Sequence, residues 1–278
     1  SPKNNRFLLE RTYDINNEGS GKFSFSVVQW NTLNSKLCDE GAFPKADPKC
    51  LGYEYRGPLI AQELKALDAD FYCMEECNKN DLKTFTSALK DDEYQHIFYE
   101  KTNGLDGLLF FYRKTKFELI DSEVGNYIDK TSNQKMTQVY QANILKAQHE
   151  NKNYFLIVVF SHWKAKIEGA PIRAIQAKEI VNIIAKKMEQ VKGMIQLDDQ
   201  VATIFCGDLN DEPQSDPIKT VQEATNFQSA YHDVPFTTYK TRDKLQRRVI
   251  DYIFYSKELS LVKRLAMPSD ETVGANGL

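Results

Sequence analysis

The sequence predicts one α/β domain of the α+β kind, built on a large sheet core. Three observations lead there. Many short, strongly apolar runs have strand length, a few helical stretches lie between them, and no repeat, low-complexity tract or linker divides the chain. The 278 residues suffice for one large core. With 41% hydrophobic and 27% charged residues, the composition is that of an ordinary globular protein rather than a disordered or fibrous one.

The elements follow in order. Residues 23–31 (FSFSVVQWN) predict a strand, followed by a polar loop containing Gly41, Pro44 and Pro48. Leu59, Ile60, Leu64 and Leu67 recur at helical spacing and predict a helix over 56–67. Residues 70–76 (DFYCMEE) form a strand ending in carboxylates, and 81–89 a helix. Strand-like runs follow at 96–99, 107–112, 117–124, 138–146 and 154–162. Pro171 opens the best-patterned helix, whose apolar stripe is Ile172, Ile175, Ile180, Ile183 and Ile184 and which ends near Gly193. Residues 201–206 are a buried strand stopped by Gly207, and 249–255 and 259–265 are the last two strands.

Charge and cysteine content narrow the function classes. A net charge of −3 and a pI near 5.9 argue against a surface that grips long nucleic acid through its backbone. A small anionic ligand needs only a local group of Lys and Arg. No apolar run is long enough to cross a bilayer, and residues 1–10 lack the apolar core of a signal peptide. Five cysteines suit a reducing compartment. Cys73 and Cys77 have no second pair or nearby His to complete a zinc site. The expected location is intracellular, in cytoplasm or mitochondrion, and not secreted.

Chemistry-bearing residues sit where apolar strands end: Asn31 after SVVQW, Glu76 after FYCME, His162 after FLIVVFS, and Asp208 and Asn210 after TIFCG. Asp251 lies inside VIDYIFY. One polar strand end is usually a turn cap. Five in order, each on a strongly apolar strand, point to groups converging on a rigid sheet edge. Their types fit one reaction. A hard divalent cation takes carboxylate oxygen, which Glu76 supplies with Asn31 beside it. A phosphoryl group needs donors, which His162 and Asn210 supply. An attacking water needs an acceptor, which Asp208 supplies.

These residues, in the motifs QWN, CMEE, SH, GDLN and IDY, resemble the endonuclease/exonuclease/phosphatase superfamily from about residue 23 to 278. The resemblance implies a DNase I-like, four-layer αββα sandwich: two packed mixed β-sheets flanked by helices. Residues 1–22 would be an N-terminal extension and 23–278 the domain. It implies Mg²⁺ as cofactor, with Mn²⁺ as the alternative, and Glu76 rather than Glu75 as metal ligand together with Asn31. It also implies a final strand bearing Ser-Asp-His, whose histidine partners Asp251, beyond Leu278.

Within the superfamily the chain is most similar to the nocturnin-like members of the CCR4-type branch. The matching pieces are HWKAK at 162–166, Lys101 with NGLDG at 103–107, FTTYKTR at 236–242 and VGANGL at the end. That resemblance implies substrate contacts from Lys101, Asn103, Lys164, Lys166 and Arg242. It implies a phosphorylated nucleotide such as NADP(H) as substrate, losing its 2′-phosphate. The alternatives are a 3′ exonuclease acting on poly(A) or another RNA 3′ end, and an inactive structural member of a larger assembly. Trp30 and Trp163 are expected in the core rather than as base-stacking platforms.

Overall fold

Every side chain from Phe155 to Phe160 is at most 5% exposed. A strand buried on both faces must be covered on both faces, and that requirement sets the layers. The computed structural model describes residues 12–17, 19, 23–129, 132–240, 245–269 and 271–272. In chain order the elements are β1 (Tyr13–Asn16), β2 (Val27–Asn31), α1 (Pro48–Leu51), α2 (Tyr53–Leu67), β3 (Phe71–Cys77), α3 (Leu82–Ala88), β4 (Tyr94–Glu100) and β5 (Gly107–Arg113). There follow β6 (Glu118–Asp129), β7 (Gln134–His149), β8 (Lys152–Ser161), α4 (Ala170–Lys192), β9 (Gln200–Asp208) and α5 (Asp216–Thr225). The last are β10 (Gln228–Ser229), β11 (Thr238–Lys240), β12 (Gln246–Arg248), β13 (Asp251–Tyr255) and β14 (Lys263–Leu265).

Two mixed sheets make the centre, one of six strands in the order β10-β13-β9-β8-β7-β6 and one of four in the order β2-β3-β5-β4. Strand alternation sorts side chains between layers. Leu156, Val158 and Phe160 of β8 meet Phe71 and Cys73 of β3 between the sheets, while Phe155, Ile157 and Val159 face Ile180 and Ile184 of α4. Tyr72 and Met74 of β3 face Leu64 of α2 and Phe85 of α3. The result is the expected four-layer αββα sandwich.

The structure departs from the sequence expectations at the ends. The strand expected over 259–265 is only Lys263–Leu265, and it pairs with β1 inside the expected N-terminal extension. Arg264 anchors that pair through both carboxylate oxygens of Asp14. Helices α1 and α5 were not anticipated. Both are short, and in each a proline near the start and an acidic or Ser N-cap residue, Asp47 or Ser215, were the available signals. Among the described residues no helix is long and apolar enough to cross a membrane.

Gly207 holds β9 against β8. Its φ is 148°, and a Cβ there would lie 1.9 Å from the Ser161 carbonyl oxygen. Backbone cannot yield as a flexible side chain can. Gly207→Ala should therefore cost about 3 kcal/mol or more, measurable by urea unfolding; a loss under about 1 kcal/mol would show that the two strands can separate freely.

Candidate active site

The C-terminal ends of the parallel pair β2 and β3 and of the parallel pair β8 and β9 open at one end of the sandwich, where antiparallel β13 begins. Asn31 ends β2, Glu76 lies near the end of β3, Asp208 ends β9, Asp251 starts β13, and His162 and Asn210 follow β8 and β9.

A β-bulge chooses between the two adjacent glutamates. Met74 pairs with Leu109 and Cys77 with Gly107, so Glu75 and Glu76 together oppose one residue of β5. Glu76 takes a left-handed φ of 56°. Such a bulge re-aims a side chain. Simple alternation would send Glu76 toward the helices with Met74; instead it faces the cleft, where its Oε1 accepts from Asn31 Nδ2 at 2.9 Å and its Oε2 from the Asn34 N–H at 3.0 Å. Glu75 stays between the sheets, fully buried.

Two amides on one face of β2 cross between the sheets. Asn31 Nδ2 also donates to Asp208 Oδ2 at 3.0 Å. Gln29 Nε2 donates to Glu75 Oε2 at 2.8 Å and to Asp251 Oδ1 at 3.2 Å. Asn31 Oδ1 accepts from the Leu33 N–H, so Asn31, expected beside Glu76 as a second metal ligand, here turns its NH₂ group toward the carboxylates and orients them. Asp251 Oδ2 accepts from the hydroxyls of Thr237 and Thr238 at 2.9 and 3.1 Å. His162 Nε2 stands 3.8 Å from Glu76 Oε1 and 3.9 Å from Asp208 Oδ2. Asn210, at φ 53°, donates one amide hydrogen to the Trp163 carbonyl and its backbone N–H to Asp208 Oδ1.

The charges are strongly coupled. Asp251 pairs directly across the ladder with Asp208, and like charges in that position repel. Burial, then Asp251, pushes the Asp208 carboxyl up to about 8, against the hydrogen bond from Asn31. Burial raises Asp251 as well, offset by Thr237, Gln29 and Thr238. Burial also raises Glu75 well above the carboxylate range. His162 is driven well below the imidazole range by burial and by the charges of Lys101 and Lys240.

The basic groups divide. Lys101 is buried, its Nζ 2.6 Å from Asp106 Oδ1 and 3.1 Å from His162 Nδ1. Lys164 is half-buried, its stem beside Gly169, while Lys166 and Asn103 are exposed on their loops. Arg173 of α4 is buried and clamps the 164–166 loop, donating to the Lys164 and Lys166 carbonyls and to Asp211 Oδ2. Arg242 lies outside the described residues. Trp163 is in the core with its Nε1 donating to the Tyr127 hydroxyl, and Trp30 packs on the helix side of β2. Gln29, Asn34, Asp106, Thr237, Thr238 and Lys240 were not singled out from the sequence. Most lay inside or beside quoted motifs (QWN, NGLDG, FTTYKTR), but nothing local says that their side chains turn inward.

The donor set fits a hard divalent cation. Glu76 offers carboxylate oxygen at the cleft, and the neighbouring Asp208 and Asp251 have no cationic side chain bonded to them among the described contacts. Mg²⁺ commonly binds through one or two carboxylates, completing its shell with water and phosphate.

The raised Asp208 makes a pH prediction. A carboxyl raised in the folded state keeps its stabilising protonated form below the unfolded value and loses that stability as pH rises through the folded value. In EDTA, the wild type should lose stability relative to Asp208→Asn between pH 5 and 8.5, by about 2 kcal/mol or about 5 °C in Tm. Parallel melting curves for the two proteins across that range would show that neither burial nor Asp251 raises the Asp208 carboxyl in the folded protein.

The Endonuclease/Exonuclease/phosphatase family profile matches residues 28–271. Nocturnin of Rattus norvegicus is 28% identical over 274 residues, which is 91% of this chain and 61% of that protein. The chain thus spans about three fifths of that relative's length. The CCR4-Not complex 3′-5′-exoribonuclease subunit Ccr4 of Mycosarcoma maydis is 21% identical over 302 residues, covering 84% of this chain and 44% of that protein. Among solved structures, the human Nocturnin catalytic domain with bound sulfate superposes with a TM-score of 0.72 at 24% identity, over 93% of this chain and 91% of that one. ANGEL2, a 2′,3′-cyclic phosphatase, superposes with a TM-score of 0.81 at 18% identity, over 98% and 94%. With that profile spanning most of its length and its fold shared with these neighbours, the chain belongs to the Endonuclease/Exonuclease/phosphatase family.

Proposed function

We propose that this chain is a divalent-metal-dependent phosphoric ester hydrolase that removes the 2′-phosphate of NADP(H). The observation that carries the hydrolase reading is the ring of Glu76, Asn31, Asp208, Asp251 and His162 held together across the two sheets. Glu76 would hold Mg²⁺ or Mn²⁺. When bound, the ion supplies Lewis-acid polarisation of the phosphoryl group and the positive charge that returns Asp208 to its ionised form. Asp208 takes the proton of the attacking water as the ester P–O bond breaks, and the departing hydroxyl draws its proton from the medium. His162 Nε2 and the second amide hydrogen of Asn210 are free to donate to non-bridging oxygens, a preorganised donor pair. Asp251, held on both oxygens, fixes the far wall of the cleft.

The choice of substrate rests on the nocturnin-like motifs that hold Asn103, Lys164, Lys166 and Arg242 and on the net charge of −3, which suits a compact anion better than a long RNA. Lys240 adds a cation near both His162 and Asp251. The second reading, a 3′-exoribonuclease, follows from the Ccr4 relatives.

Two experiments test these readings. Saturating Mg²⁺ should raise wild-type stability by about 2.7 kcal/mol at a hundredfold excess over Kd, and Glu76→Gln should keep the fold and lose that gain. Equal stabilisation of both proteins would remove Glu76 from the metal site. For the substrate, kcat/KM should be higher for phosphate release from NADP(H) than for shortening of poly(A), since that ratio measures discrimination. Higher values on poly(A) would establish the exonuclease reading, and turnover only of a 2′,3′-cyclic phosphate end would overturn both.

A further inference from the structure

Lys101 was expected to contact a substrate phosphate, yet its side chain is only 9% exposed and already committed on two sides. Asp106, equally buried, stands 2.6 Å from its Nζ and neutralises its charge. The same Nζ is 3.1 Å from His162 Nδ1. An ammonium group has three donors and no acceptor. That contact is therefore a hydrogen bond only if Nδ1 offers its lone pair, and a neutral imidazole then carries its single proton on Nε2. Nε2 is the nitrogen that faces the cleft, 3.8 and 3.9 Å from the nearest oxygens of Glu76 and Asp208, too far to be spent on either.

We propose that Lys101, held by Asp106, is a positioning residue that locks His162 in the Nε2–H tautomer, so that the ring presents a donor to a phosphoryl oxygen. The backbone builds the same arrangement: the Lys101 N–H donates to the Asp106 carbonyl at 2.8 Å, closing the 101–106 loop on itself. The loop thus carries the charge and its counter-charge as one unit. Lys101 acts through His162 and does not itself meet the substrate. The inference deepens the proposed hydrolase reading but does not depend on NADP(H) being the substrate.

The experiment is ¹⁵N NMR of the imidazole nitrogens in metal-free protein, with the His162 signals assigned by their loss in His162→Gln. The wild type should show a protonated Nε2 and an unprotonated Nδ1. Lys101→Met, which keeps the length and apolar stem but removes the donor, should shift the ring to a mixture of tautomers. With NADP⁺ as the assayed compound, Lys101→Met should lower kcat about 100-fold, the scale of one lost preorganised donor, with KM within about twofold. Asp106→Asn should change both readouts in the same direction by less, and it stands in if Lys101→Met does not fold. A variant that keeps a pure Nε2–H tautomer, or one that raises KM with kcat unchanged, would overturn the proposal and return Lys101 to the substrate. The NMR readout needs no turnover, so inactivity on NADP⁺ would count against the substrate reading alone.

Discussion

Strand β2 carries two side-chain amides, two residues apart and on one face, and each spans two carboxylates from different strands. Asn31 joins Glu76 to Asp208, and Gln29 joins Glu75 to Asp251. Without these amides each of four carboxyl groups at the mouth of a largely apolar sandwich would lose a donor in a low dielectric, a costly arrangement. The NH₂ groups let the two sheets close over them. They also fix the distances between the carboxylates of the two sheets. Cohesion and strain therefore meet at one place: the clustered carboxylates are buried and face one another, and the raised Asp208 reflects that burial first and the neighbouring Asp251 second.

Around this bridge the supports are themselves anchored in backbone. The Thr237 hydroxyl donates to Asp251 and accepts from the Ile250 and Asp251 N–H groups, so one side chain sets both the carboxylate and the strand start. Arg56 donates to the Thr32 and Leu33 carbonyls and ties α2 to the turn after Asn31. Such supports hold the acting groups on rigid strand ends. The rim of the cleft comes instead from loops: 101–106, the 164–166 segment clamped by Arg173, and the β11–β12 hairpin. A rigid reactive floor with interchangeable loops is how one fold supports different phosphoester substrates.

Local pattern carried a great deal of this. Apolar runs bounded by turn residues identify most strands because burial on two faces demands uninterrupted apolar sequence, as in FLIVVF. The candidate site residues stand out because five polar groups in order on apolar strands are unusual where one alone is ordinary, and because their order along the chain matches a known family. Boundaries drifted where the sequence has weak periodicity, as at 259–265, whose strand exists only through a partner some 250 residues away.

What the sequence by itself determined is the set of groups and their placement at strand ends, since residue type and alternation are local properties. Tertiary structure alone decided how those groups are used. The bulge opposite Leu108 sends Glu76 into the cleft and leaves Glu75 inside. The antiparallel register sets Asp251 against Asp208, and the folding back of the 101–106 loop buries Lys101 against His162. Each depends on contacts between residues far apart in the chain, such as Gln29 with Asp251, and such contacts exist only once the sheets have packed.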